Sequence, residues 1–371
     1  MTIAVLGAGM VGRAIALDLA KDYRVTSFDI NAASLDELRK KNEAVNTVAV
    51  NLSAFEEYSS WLSPFDIVVT AVPGFMGYKT LEAVIHAGKE VVDISFFPED
   101  ALQLDKLAKE KNVTVITDCG VAPGMSNFII GRCNADMKTT AFECYVGGLP
   151  KYPQPPFYYK APFSPVDVIQ EYIRTARLAE NGSVVTKPAL SEREMLVFEP
   201  AGELEAFNTD GLRSLVYTMP HIPDMKEKTL RWPGHIDIMV ALKQSGFFAE
   251  EPLRVNDATV IPLEFTSRLL VNEWKLAAGE EEFTIMKVIV KGPDKTVVYD
   301  LYDEYDAATG QSSMARTTGY TCTAAVNLIA KGLFKEKGVF PPELIGSDKA
   351  CFDFVLAYLK ERKVNWRRTE K

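Results

Sequence analysis

Six residues near the start of the chain, Gly7-Ala8-Gly9-Met10-Val11-Gly12, constrain its fold more than any other stretch. They directly follow the apolar run Thr2–Leu6 and open an amphipathic stretch that continues to Lys21. In such a setting Gly7 permits a tight turn, Gly9 lets a ligand approach the backbone, and Gly12 lets helix pack against strand. The helix N-terminus adds partial positive charge, so the turn suits a pyrophosphate. A second apolar run, Arg24–Asp29, ends on an acid about 20 residues further on. A carboxylate there accepts hydrogen bonds from ribose hydroxyls and repels a 2′-phosphate. The pattern predicts a dinucleotide-binding domain that starts at the first strand and prefers NAD to NADP. The alternative is a glycine turn that binds nothing, and the agreement of strand, glycines, helix and acid weighs against it.

The rest of the N-terminal third repeats the alternation of short strand and amphipathic helix that marks a parallel, doubly wound sheet. Strands are predicted at Thr2–Leu6, Arg24–Asp29, Thr47–Val50, Asp66–Ala71, Glu90–Ile94 and Thr114–Thr117. Helices are predicted near Met10–Lys21, Ala32–Lys40, Ala54–Leu62, Tyr78–Ala87 and Pro98–Lys111. Ligands of open α/β sheets lie beyond the carboxyl ends of strands. The loops at Ala71-Val72-Pro73, Asp93-Ile94-Ser95 and Asp118-Cys119-Gly120 therefore complete the expected cofactor rim.

After Pro123 the rhythm changes to mixed strands, proline-rich loops and acidic helices, as in an α+β domain. Val184–Pro188, Met195–Phe198, Phe283–Lys291 and Thr296–Asp303 read as its strands, and Thr318–Lys335 and Ser347–Arg362 as closing helices. The reading is an α/β Rossmann domain over 1–122, an inserted α+β substrate and dimerisation domain over 123–317, and C-terminal helices over 318–371 that pack back on the first domain.

At 371 residues the chain is long enough for two cores. A net charge of −9 without a basic stripe argues against nucleic acid and for a small-molecule partner. Apolar runs such as Ile67–Pro73 are strand-sized, so no membrane span is expected. The first strand starts at Thr2 without the flanks of a signal peptide, which predicts a cytoplasmic protein. The five cysteines include no CxxC pair, so neither a disulfide framework nor a metal site is expected.

Further stretches add to the opening fingerprint: Val72-Pro73-Gly74-Phe75, Asp93-Ile94-Ser95-Phe96, Asp118-Cys119-Gly120-Val121-Ala122-Pro123-Gly124-Met125-Ser126-Asn127, Tyr145-Val146-Gly147-Gly148-Leu149-Pro150, Thr209-Asp210-Gly211-Leu212-Arg213-Ser214 and Leu230-Arg231-Trp232-Pro233-Gly234-His235. With them the chain resembles the saccharopine dehydrogenase-like superfamily, most closely its lysine 6-dehydrogenase branch. That resemblance implies NAD-dependent oxidative deamination of the ε-amino group of L-lysine to 2-aminoadipate 6-semialdehyde and ammonia, and a homodimer or higher homo-oligomer. Saccharopine or carboxynorspermidine type reductases share related elements and are the main rival. A catalytically silent NAD-binding regulator is a third reading.

Amine oxidation requires a free nitrogen lone pair, whereas a lysine ammonium has a pKa near ~10.4. A proton acceptor is therefore expected, and Asp93, Asp118 and His235 are the candidates. The two acids could instead cap loops, and His235 could be a buried histidine bonded to backbone. Arg231, and after it Arg213, could grip a substrate carboxylate through the guanidinium fork, or could simply brace the structure. Tyr145, Tyr158 and Trp232 could line the aliphatic stem of a substrate. Cys119 lacks the partner of a thiol nucleophile and reads as inert.

Overall fold

The computed structural model describes residues 1–371 apart from Ala278. Its first half-dozen strands and helices alternate as β1 (Thr2–Leu6), α1 (Met10–Leu19), β2 (Arg24–Asp29), α2 (Ala32–Lys41), β3 (Asn46–Ala49) and α3 (Tyr58–Leu62). The alternation continues through β4 (Ile67–Thr70), α4 (Gly74–His86), β5 (Glu90–Asp93), α5 (Asp105–Glu110) and β6 (Thr114–Ile116). β4, Ile-Val-Val-Thr, is buried throughout, as a strand covered on both faces must be. Asn31 stops β2 from continuing and caps α2 by accepting from the N–H groups of Ala33 and Ser34. The predicted helix Pro98–Lys111 is broken into a 3₁₀ turn, Ala101–Leu104, and α5, because the Asp100 side chain caps the turn at Leu102.

Next come α6 (Met125–Asp136), β7 (Ala141–Pro150), α7 (Pro165–Ile173), β8 (Ala176–Glu180), β9 (Ser183–Lys187), β10 (Glu194–Phe198) and β11 (Gly202–Asn208). They are followed by α8 (Leu215–Thr218), β12 (Asp224–Arg231), α9 (His235–Gln244), the hairpin β13 (Leu253–Val255) and β14 (Ala258–Val260), α10 (Pro262–Trp274), β15 (Glu282–Lys291) and β16 (Thr296–Glu304). The chain closes with α11 (Ser313–Ala330), β17 (Gly338–Phe340), α12 (Pro342–Gly346), α13 (Lys349–Glu361) and β18 (Trp366–Glu370).

The first sheet is parallel and seven-stranded, in the order β17-β6-β5-β4-β1-β2-β3. The second has nine strands, with β10-β11-β12-β7-β15-β16-β18 as its path and β8 and β9 attached beside β12. β7 is parallel to β12 and antiparallel to β15, which makes this sheet mixed. In β16 the burial alternates residue by residue, the period-two pattern of a strand with one face covered.

The C-terminal segment returns to the first domain. α11 lies against α1, where Gly319 leaves room for Ala14 and Ile15, and β17 extends the parallel sheet beside β6. A helix-only ending misses two strands. β18, Trp-Arg-Arg-Thr-Glu, pairs with β16 of the second sheet, and its charged sequence suits an exposed edge and hides the apolar alternation of a strand.

One buried carboxylate ties this return in place. Asp18 on α1 accepts from Thr323 at 2.7 Å, Tyr358 at 2.8 Å, Lys21 at 2.8 Å and Arg362 at 2.7 Å. Burial alone would raise its pKa, but the bonds from Arg362, Lys21 and Thr323 outweigh burial and hold the carboxyl below its usual range. A carboxyl depressed in the folded state contributes stability that is present above its unfolded pKa and lost as pH falls through the folded value. Asp18→Ala leaves Arg362 only the exposed Glu361 at 3.8 Å and is expected to cost about 3–5 kcal/mol, as removal of one partner from a buried pair does. Urea denaturation at pH 7 checks this, and the gap between variant and parent should shrink below pH 4.

Candidate active site

The glycine turn lies where β1 meets α1. Gly7 has φ +108°, and a β-carbon there would lie 2.3 Å from the Ala71 carbonyl oxygen. A β-carbon on Gly12 would lie 2.1 Å from the Gly7 oxygen, so helix and turn touch backbone to backbone. Gly9 has open space above it. α1 carries no side-chain cap and no acid in its first turn, so its N-terminal N–H groups suit a phosphate. Asp29 sits beside this turn, with Oδ2 accepting from the Ala8 N–H at 2.6 Å and Oδ1 from the Asn31 N–H at 2.8 Å. Arg13, the nearby cation, is paired with Glu37 at 3.2 Å. The turn, the uncapped helix and the acid fit a dinucleotide.

Across β1, the ends of β4, β5 and β6 face the second domain. Asp93 closes β5 and is fully buried. Its Oδ1 accepts from the Thr70 hydroxyl at 2.6 Å, while Oδ2 has no hydrogen-bond partner among the described residues. Burial, offset in part by the bond from Thr70 and reinforced by the charge of Asp118, pushes its carboxyl up to about 7. The Ser95 hydroxyl is also buried without a partner. Asp118 follows β6 in the left-handed region at φ +53°. Its Oδ1 accepts from Nε of Arg213 at 2.8 Å, and Arg213 is itself left-handed at φ +46°. Both side chains are about 95% buried, with 5% and 4% exposure. Arg213 Nη1 donates to the Phe97 carbonyl, and its guanidinium stacks 5.0 Å from the Phe96 ring centre. Strained non-glycine backbone on both sides of one ion pair is a feature that clusters at functional sites.

Four groups that the sequence does not advertise join this cleft. Asp167 on α7 accepts from the Gly74 N–H at 3.2 Å, across the domain boundary. Arg177 grips both oxygens of Asp210, at 2.8 and 2.9 Å. Arg174 stacks 5.1 Å from the Phe96 centre. Glu227 on β12 fills the space a β-carbon of Gly211 would need, and burial followed by the charges of Glu171 and Asp210 pushes its carboxyl up to about 8. A cavity of about 20 Å³ beside the Asp118–Arg213 pair has room for one water.

Arg231 and His235 lie elsewhere, and the expectation for both is corrected. Arg231 is 2% exposed. Its Nε donates to the Tyr172 hydroxyl at 3.0 Å, Nη1 to the Leu230 carbonyl at 2.9 Å and Nη2 to Glu171 at 2.7 Å. No fork is left for a substrate, so Arg231 is a brace. His235 is fully buried between Tyr172, at 2.9 Å from Nε2, and the Phe157 carbonyl, at 2.7 Å from Nδ1. Burial and then the Arg231 charge hold its pKa down at about 3, so it stays neutral in the core. Tyr145 packs on Phe198 with its hydroxyl on Glu143, Trp232 donates to the Pro150 carbonyl, and the Tyr158 ring lies 3.6 Å from the β-carbon position of Gly234. Tyr145 is buried and Trp232 and Tyr158 are half-buried in the second domain, and none of the three lines the cavity beside Asp118 and Arg213. Among the described residues no group of three or more His, Cys, Asp or Glu could hold a metal, and no helix is long and apolar enough to cross a membrane.

The family model described as "Saccharopine dehydrogenase NADP binding domain" matches residues 3–116, and "Saccharopine dehydrogenase C-terminal domain" matches 120–364. The alpha-aminoadipic semialdehyde synthase of Arabidopsis thaliana is 27% identical over 67% of this chain and 25% of its own length. A saccharopine dehydrogenase [NADP(+), L-glutamate-forming] of Pyricularia oryzae is 23% identical over 67% of this chain and 58% of its own. The chain thus spans between a quarter and three fifths of these two relatives. The carboxyaminopropylagmatine dehydrogenase of Synechocystis is 20% identical and is matched almost end to end, over 98% and 96% of the two chains. Apo saccharopine dehydrogenase (L-Glu forming) from Saccharomyces cerevisiae superposes with a TM-score of 0.79 at 18% identity, covering 100% of this chain and 99% of that one, which shows the fold.

All five cysteines are free and buried. Burial, with the charges of Asp93 and Asp118, pushes the Cys119 thiol well above its ordinary range, so no thiolate nucleophile forms there. The native protein is expected to show no fast reaction with a thiol reagent at pH 8 and five equivalents after denaturation. Rapid labelling of Cys119 in the native protein would contradict this placement.

Proposed function

The chain belongs to the saccharopine dehydrogenase family, and from that premise we propose that it is an NAD-dependent amine dehydrogenase that oxidises the ε-carbon of L-lysine. The products are 2-aminoadipate 6-semialdehyde and ammonia. The observation that carries this reading is Asp93, a buried carboxyl at the end of β5 with one unbonded oxygen and a pKa near 7. That is the value a proton acceptor needs near neutrality.

NAD, when bound, takes up the hydride. The chain's own residues bind, orient and move protons. The Gly7–Gly12 turn and the α1 N-terminus would hold the pyrophosphate, Asp29 the adenosine ribose, and Val72, Pro73 and Ser95 would border the nicotinamide. The substrate ammonium gives up a proton, and hydride loss from carbon leaves a carbon–nitrogen double bond. Water adds to that carbon and loses a proton, the C–N bond breaks, and ammonia departs with the aldehyde left behind. Asp93 accepts the proton of the attacking water. Asp118 is committed to Arg213 and positions that arginine at the cleft.

NAD rather than NADP is supported by Asp29, whose carboxylate at the end of β2 would repel a 2′-phosphate, while the nearby cation Arg13 has Glu37 as a partner at 3.2 Å. A coupling dehydrogenase that joins an amine to a carbonyl is the second reading, and the names of the saccharopine dehydrogenase relatives favour it. Such a substrate carries two or three carboxylates. Of the three arginines at the cleft, Arg177 and Arg213 are already paired with Asp210 and Asp118, which favours a smaller substrate.

The deciding experiment measures NAD and NADP reduction with lysine, ornithine, saccharopine and diamines. Oxidation of saccharopine in preference to lysine overturns the proposal, and cofactor binding without turnover points to a regulator. Asp29→Ala is expected to weaken NAD far more than NADP, which titrations of cofactor fluorescence will show. An unchanged NAD/NADP ratio would remove Asp29 from the ribose site. In the parent, kcat/KM should rise with pH through about 7 as Asp93 ionises, and climb again in the alkaline range as the substrate ammonium does. Asp93→Asn should abolish the first rise and keep the second, so a variant profile that retains the step near 7 places the base elsewhere.

A further inference from the structure

Arg174 follows α7, where its N–H donates to the Gln170 carbonyl and the chain turns toward β8. Its guanidinium lies 5.1 Å from the centre of the Phe96 ring, and that of Arg213 lies 5.0 Å from the same centre. Two cations thus share one aromatic ring at the end of β5. Arg213 has Asp118 and the Phe97 carbonyl. Nη1 of Arg174 is buried and has no hydrogen-bond partner among the described residues.

The acids nearby are engaged. Asp210 gives both oxygens to Arg177, and Asp118 is bonded to Arg213. Asp167 accepts from the Gly74 N–H, and burial raises its pKa and weakens it as a standing counter-ion. A guanidinium stays charged at any ordinary pH, and leaving a buried donor of that charge unmatched is costly. Its planar fork matches a carboxylate or a phosphate. The phosphates of a dinucleotide lie at the β1–α1 turn and, for a 2′-phosphate, at the end of β2, whereas Phe96 follows β5 on the nicotinamide side. The missing anion is therefore a carboxylate on the substrate.

We infer that Arg174 anchors the carboxylate at the far end of the substrate while the amine-bearing carbon reaches the strand ends near Asp93. The substrate class is then an amino acid oxidised at its terminal amine, rather than a simple diamine. This inference rests on the amine-dehydrogenase reading above, and its test separates the two.

Arg174→Met keeps the stacking volume and removes the fork. It is expected to lower kcat/KM for lysine by about 10- to 100-fold, the scale of one charge-assisted hydrogen bond, mostly through KM. Cadaverine, which is lysine without its carboxylate, should start as a poor substrate and stay where it was, and NAD affinity should not move. Arg174→Lys keeps the charge without the fork and should fall between parent and Met variant, which preserves the test if the Met variant does not fold. Equal losses on lysine and cadaverine, or a weakened NAD, overturn the anchor and leave the dehydrogenase reading intact. Binding is read separately with 6-aminohexanoate, which has the carboxylate and terminal amine of lysine but no α-amine. With NADH present it should raise the melting temperature of the parent and not that of the Met variant. Should the parent oxidise no lysine yet show this Arg174-dependent shift, the substrate reading fails and the anchor stands. A shift of equal size in both proteins overturns the anchor.

Discussion

The ion pair between Asp118 and Arg213 joins the two halves of the molecule at the place where the parallel sheet ends its strands. At 2.8 Å and an effective dielectric near 20, their attraction amounts to roughly 6 kcal/mol. Withdrawing two ions from water costs several kcal/mol for each, so the net gain from the contact is small. Its value is positional. The pair spans the domain boundary, each partner sits in a left-handed backbone conformation that only its surroundings sustain, and the guanidinium is further fixed by Phe96 and the Phe97 carbonyl. The geometry of the cleft between β5, β6 and the Asp210–Ser214 turn depends on this contact.

That contact also sorts the carboxyl groups. Asp118 is bonded to the Arg213 guanidinium, whereas Asp93 on the next strand has only a hydroxyl from Thr70 and the negative charge of Asp118. Two acids at adjacent strand ends thereby acquire different tasks, one structural and one able to exchange a proton near neutrality.

The legible part of the sequence was the part whose meaning is local. Glycine turn, strand, helix and Asp29 all lie within the first thirty residues, and each follows from steric or electrostatic rules that involve near neighbours. Asp93 and Asp118 were legible as strand-end acids, because the alternation of strand and helix places the ends of parallel strands along one edge of the sheet. Arg231 misled because its motif, Arg-Trp-Pro-Gly-His, is rich in functional residue types, while the fact that decides its role is a partner 60 positions away, Glu171. His235 fails for the same reason, since Tyr172 and Phe157 close around it from distant segments. Arg174 and Arg177 sit in an unremarked stretch after α7, and only the fold brings them over Phe96 and onto Asp210. The nine-stranded sheet was half visible: β16 alternates clearly, but β7 is buried along most of its length and contains Gly147-Gly148, so it lacks the period-two signature.

Buried charge is distributed unevenly between the places where it is fully matched and the places where it is not. Asp18 sits among Thr323, Tyr358, Lys21 and Arg362 with every oxygen bonded, near the end of α1 opposite the glycine turn. Arg231 is equally well supplied inside the second domain. Around the cleft the matching is incomplete: Asp93 has an unbonded oxygen, Ser95 an unbonded hydroxyl, and Arg174 an unbonded nitrogen. Well-packed apolar side chains in those positions would make a more stable protein, because buried ions are weak contributors to stability even when paired. Other buried polar atoms without partners among the described residues, such as Asp303 Oδ2 and the Trp274 indole nitrogen, lie away from this crevice; what sets the crevice apart is that an acid, a hydroxyl and a guanidinium with unmatched atoms gather around the same strand end. In the proposed reading, a proton donor near Asp93 and an anion near Arg174 are the two ends of one small zwitterionic ligand.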